Sequence, residues 1–120
     1  MPKDEFIKQL NELGYAVEDL GNNRIAFPYE IPCGRLAGTK IRLGLDVPQD
    51  FPLNPPSGPH VSPHLLPINT QHGPHPNFGV HPSPFGSEWQ YWSRPLSHWA
   101  NTKRTAKDVM AHFRHLFDTL

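Results

Sequence analysis

The chain of 120 residues has a single cysteine, Cys33, and so holds no internal disulfide. It has no excess charge: 11 Lys and Arg balance 11 Asp and Glu, for a formal charge of zero at pH 7 with histidine neutral. A neutral chain lacks the field that gathers a polyanion, so no nucleic-acid partner is expected. Long hydrophobic runs are missing as well, which excludes an expected membrane span. The opening MPKDEFIKQL is charged and amphipathic and lacks the apolar centre of a secretory leader. With one thiol, these features point to a cytoplasmic protein. A Gly-rich phosphate loop, a serine elbow and an HExxH string are also absent, which removes the commonest nucleotide, hydrolase and metalloprotease signatures.

Two residue types are abundant instead, with 15 Pro and 8 His. So much proline suits disorder, but 3 Trp, 7 Phe and 3 Tyr oppose it, because disordered chains are poor in aromatics. The prolines are better read as stiffening an ordered loop, where they lower the entropy of the unfolded chain. The length suits one domain spanning 1–120.

Apolar periodicity predicts a helix over residues 2–13, with Phe6, Ile7, Leu10 and Leu13 on one face, Pro2 in the first turn and Gly14 just past the end. Ile25, Phe27, Tyr29 and Ile31 alternate, as do Ile41, Leu43, Leu45 and Val47, so two half-buried strands are expected there. Gly21-Asn22-Asn23 and the 34–38 stretch supply turns, and Pro28 marks an edge or a bulge. The Pro/His-rich region 48–87 has room for one more short strand, Val61 to Leu66. A second helix is expected over 102–119, capped by Asn101 or Thr102, with Val109, Met110, Phe113, Leu116, Phe117 and Leu120 as its apolar stripe. This order predicts an α+β domain: an antiparallel meander, an N-terminal helix, a long loop and a C-terminal helix.

Val47-Pro48-Gln49-Asp50-Phe51-Pro52 with Pro55-Pro56, then His75-Pro76-Asn77, then Trp92-Ser93, form an ordered set. In this order the chain resembles the ubiquitin-conjugating-enzyme-like (UBC-like) superfamily. The string Trp89-Gln90-Tyr91-Trp92-Ser93-Arg94, followed by Trp99 and Asp108, is similar to the prokaryotic family E branch. The resemblance implies a UBC-like fold and a place in a bacterial ubiquitin-like conjugation system, with a ubiquitin-like protein and its activating enzyme as partners. It further implies a four-stranded antiparallel meander, a structural role for His75, support of an oxyanion by Asn77, and ligase-type docking at Phe51, Leu53, Pro55 and Pro56.

The resemblance also exposes a gap. The family carries its modifier on a Cys, because a thiolate both attacks and leaves well. Counted from Asn77 with the family's spacing that position is Phe85, and counted back from Trp92 it is Pro84. Cys33 is the only thiol, so it is the only candidate acyl carrier of that type. The expected function is therefore that of a UBC-fold protein without Cys at the usual position. It would bind a modifier or activating enzyme through Phe51, Pro55, Pro56, Phe85, Trp89, Trp92, Ser93 and Arg94. Trp92 and Trp99 are expected in the core, because Trp is highly buried on average. Two alternatives stand beside this reading. One is a metal site at His60, His64, His72, His75 and His81, with zinc as the ion; no cofactor is expected otherwise. The other is a non-catalytic peptide- or protein-binding module built on the exposed aromatics.

Overall fold

The computed structural model describes residues 2–69 and 79–120. Along the chain run helix α1 (Pro2–Glu12), strands β1 (Glu18–Gly21), β2 (Arg24–Glu30), β3 (Lys40–Asp46), β4 (Ser57–Ser62), β5 (Val80–Pro82) and β6 (Gln90–Trp92), a 3-10 turn (Trp99–Asn101) and helix α2 (Ala106–Asp118). The strands form one sheet in the order β1-β2-β3-β4-β6-β5, with every neighbouring pair antiparallel. The fold is α+β, and its sheet has six strands where the resemblance implies four. The two unexpected strands are three residues each, VHP and QYW, too short to show alternation.

Register sorts the side chains onto two faces. Phe27 pairs with Leu43, Leu43 with Val61, and Val61 with Gln90, and all four are fully buried. This row faces the helices. Phe117 of α2 lies with its ring 5.5 Å from Trp92 and 5.8 Å from Tyr29, and Phe6 of α1 meets Phe51 edge-on at 5.1 Å. The neighbouring row is Ala26–Gly44–His60–Tyr91–His81, and it lies on the opposite face. Period-two alternation makes the assignment: each residue of this row adjoins a helix-facing one in its own strand.

Pro28 lies inside β2 without costing a ladder bond. Ile31 gives its N–H to Thr39 and takes the N–H of Gly38, so the odd-numbered residues of β2 bond toward β3. Pro28 therefore turns its nitrogen the other way, where pairing with β1 has already stopped at Ala26. It occupies a local edge.

Helix α2 starts later than the sequence suggests. Thr102 donates its hydroxyl to the carbonyl of Trp99 and accepts the N–H of Arg104, and Arg104 has φ 58°. Those bonds hold the chain out of helical geometry until Thr105. There the Asp108 carboxylate accepts both the backbone N–H of Thr105 (3.0 Å) and its hydroxyl (2.8 Å). The Gln9 side chain of α1 accepts the N–H of Ala106 at 2.7 Å, so one helix satisfies an orphan donor of the other. Helix α1 ends at Glu12, which leaves Leu13 44% exposed rather than on the buried face. Among the described residues no helix is long and apolar enough to cross a membrane.

The strand expected at Val61 to Leu66 lies earlier, at Ser57–Ser62, and Gln90 supplies the reason. Its side-chain carbonyl accepts the N–H groups of Leu65 (2.9 Å) and Leu66 (3.1 Å) and the indole N–H of Trp92 (2.9 Å). Its amide nitrogen donates to the carbonyl of Leu66 at 2.8 Å. A side chain thus provides the partners that another strand would have supplied. Removing it would orphan three N–H groups and a carbonyl, each at about 1–3 kcal/mol when buried. Gln90→Leu is therefore expected to lower unfolding free energy by at least about 3 kcal/mol in urea denaturation, a large share of the ~5–15 kcal/mol of a domain.

Candidate functional site

The face turned away from the helices is not an open sheet. The connection from β5 to β6, residues 83–89, folds back over it. Gly44 makes this possible: a Cβ there would lie 2.6 Å from Cε2 of Phe85 and 3.0 Å from Cζ3 of Trp89. The rings of Phe85 and Trp89, 5.2 Å apart, occupy the space a side chain would need. His60 continues the pile, stacked on Phe85 at 4.2 Å and on Tyr91 at 4.8 Å, and His81 follows at 5.9 Å from Tyr91.

Two cations border these rings. Arg24 lies 5.3 Å over Phe85 and Arg42 5.3 Å over Trp89, a geometry in which the negative ring face attracts the guanidinium. Arg24 also directs Nη1 toward the carbonyl of Pro84 at 3.5 Å and pairs with Asp46, while Arg42 pairs with Glu18 at 2.7 Å. At the centre, the Oγ of Ser83 lies 2.8 Å from Nδ1 of His60 and accepts the N–H of Phe85 at 3.0 Å. His60 is 5% exposed. Burial first, and then the positive field of Arg24, push its pKa down to about 4, so its ring is neutral near pH 7.

The structure brings some expected site residues together and separates others. Phe85 and Trp89 meet on the outer face, but only Phe85 is half-exposed there; Trp89, expected as part of a binding surface, is buried at 8% exposure beneath the connection. Trp92 lies on the helix side and is 1% exposed; it and Trp99 are core residues. Ser93 donates its N–H to Gly79, and the Arg94 carbonyl accepts Nε2–H of His112 at 3.0 Å. Phe51 is a core residue between Phe6 and Trp99, and Pro52 accepts the Trp99 indole N–H at 2.8 Å. Pro56 is buried and Pro55 half-buried, so the exposed apolar group of that segment is Leu53. Cys33 is half-buried after β2, and its thiol donates to the Arg114 carbonyl of α2 at 3.6 Å. The neighbouring Gly34 packs against the carbonyl of Phe117. That is the helix side of the sheet, away from Phe85.

The histidines take separate partners: His60 meets Ser83, and His64 donates to the carbonyl of Trp89 at 2.9 Å. Among the described residues no group of three His, Cys, Asp or Glu is placed to hold a metal ion. His72, His75 and Asn77 lie outside the described residues. Ser83, Arg24, Arg42 and Gly44 belong to the cluster although sequence reasoning did not single them out. The available signal was the outward phase of Arg42 and Gly44 within the Ile41–Leu45 alternation. The chain matches no family model, no curated protein and no solved structure.

Two outcomes follow from this packing. Gly44→Ala is expected to lift Phe85 and Trp89 from the sheet, costing about 1–3 kcal/mol and shifting tryptophan emission to longer wavelength. The second concerns pH. The unfolded chain protonates His60 as pH falls through 6.5, but the folded chain does so only near 4, so folding stability is lost across that window as pH falls. The shift corresponds to roughly 3 kcal/mol. His112, also held low by burial, adds to the same trend. Urea denaturation at pH 7, 5.5 and 4 should show a decline in the wild type that is shallower by about this amount in His60→Phe.

Proposed function

We propose that this chain is a UBC-like component of a bacterial ubiquitin-like conjugation system, lacking Cys at the usual thioester position. It binds a ubiquitin-like modifier or its activating enzyme through the face built from Phe85, Arg24 and Arg42, which Trp89 supports from beneath. The observation that carries the reading is the ordered, aromatic cover at 83–89. It includes Pro84 and Phe85, the positions that the family's spacing assigns to its acyl carrier by sequence count, while the single thiol is engaged with α2 on the other side of the sheet. The ordered sequence motifs and the α+β architecture with an antiparallel sheet support it. The two arginines suit a partner with an acidic rim, which would compete for them with Asp46 and Glu18; both pairs are partly exposed and therefore weak.

Titration of the isotopically labelled protein with a ubiquitin-like modifier and with an adenylating activating enzyme tests this directly. Shifts at 83–91 and a loss of affinity of about tenfold or more in Arg42→Glu are expected. Unperturbed resonances on this face with both partners would end the proposal. With activating enzyme, modifier and ATP, a non-reducing gel should show no thiol-sensitive adduct. One that disappears in Cys33→Ser would restore a thiol mechanism.

A further inference from the structure

We propose that Ser83 is an acyl-accepting nucleophile, with His60 taking its proton and Arg24 as the cation beside it. The proposal deepens the conjugation reading above and names its acyl carrier. A hydroxyl becomes a useful nucleophile when a base lies within hydrogen-bond reach and the oxygen remains accessible. Ser83 has the base in reach, with its Oγ 2.8 Å from Nδ1 of His60, and the residue itself is only half-buried. The N–H of Phe85, 3.0 Å away, occupies one lone pair and fixes the rotamer. The ring is held by stacking on Phe85 and Tyr91, the orienting role a carboxylate plays in a catalytic triad. The required tautomer carries its proton on Nε2, so that Nδ1 accepts.

The electrostatics select the substrate. Among the described residues no carboxylate bonds to the ring, and burial and Arg24 both disfavour its charged form. Such an imidazole is a weak base and a poor stabiliser of slow steps, so an amide or an alkyl ester is out of reach. The donor must carry a leaving group that departs without prior protonation, and a thioester does. In the step, a bond forms between Oγ and the acyl carbon while the carbon–sulfur bond breaks and the thiolate leaves with the electron pair. The hydroxyl proton passes to Nδ1 of His60 and then to the thiolate, whose pKa of about 8.5 makes that transfer downhill. Arg24, which directs Nη1 toward the carbonyl of Pro84, places positive charge beside the segment that carries Ser83, a charge that favours a developing oxyanion. The product is an oxygen ester on Ser83, resistant to thiols.

The test uses the full chain and small reagents: the acetyl thioester of N-acetylcysteamine and, separately, an alkyl fluorophosphonate. Intact mass and peptide mapping are read after dithiothreitol has cleared any acyl group from Cys33. The expected result is one adduct at Ser83 with each reagent, absent in Ser83→Ala and slowed at least ~10-fold in His60→Gln. Thermal melts of both variants report folding. Ser83→Cys in a Cys33→Ser background, read before and after dithiothreitol, is a second probe and should acylate faster, to a product that dithiothreitol removes. No adduct at Ser83 in the wild type, an adduct mapped elsewhere, or an unchanged rate in a folded His60→Gln overturns the proposal. The reagents need no protein partner, so the two readings fail separately. Acylation without modifier binding removes only the conjugation role, and modifier binding without acylation removes only the nucleophile.

Discussion

One buried amide organises the half of the molecule that composition leaves undetermined. Gln90 occupies a place in the core row Phe27–Leu43–Val61–Gln90, where its neighbours are apolar. A polar group is tolerable there only when its hydrogen bonds are made, and both ends of the amide are bonded. Those bonds tie the Leu65–Leu66 backbone to β6, fix the Trp92 indole over the core and hold β6 against β4. With β6 held at both ends of its short span, β5 has an edge to join, and the connection between them has a defined start and finish.

That connection gives the sheet its second function. A sheet covered by helices on one side normally presents polar residues on the other. Here the other side carries Ala26, Gly44, His60 and Tyr91, and the absence of a side chain at Gly44 admits Phe85 and Trp89. The molecule thus has a main core between sheet and helices and a thin aromatic layer on the reverse. A neutral histidine is stable in that layer because it stacks, hydrogen-bonds to Ser83 and avoids charge. On the proposed chemistry, the same circumstances that keep it neutral restrict Ser83 to donors with good leaving groups.

The resemblance to conjugating enzymes and the site geometry address different questions. The motifs carry the proposal of a partner; the geometry determines what the chain has to offer one. Phe51 illustrates the separation. Its place in a proline-rich motif suggests docking, yet its ring fills the contact between α1 and the 3-10 turn. Exposure in that segment passes to Leu53.

Local pattern was enough for the two helices, for β2 and β3, and for the α+β class, because each of those elements buries a periodic set of side chains that is continuous in sequence. It was also enough for the core placement of Trp92 and Trp99 and for the edge position of Pro28. It was not enough for β5 and β6, whose three residues cannot display a period and whose partners lie far along the chain. The start of α2 likewise turned on hydroxyl bonds from Thr102 and Thr105 that compete for the same turn. The cluster of Ser83, His60, Gly44, Arg24 and Arg42 was decided by tertiary structure alone: cross-strand register and a seven-residue connection set those side chains side by side, and register is a property of pairing, which no single strand contains.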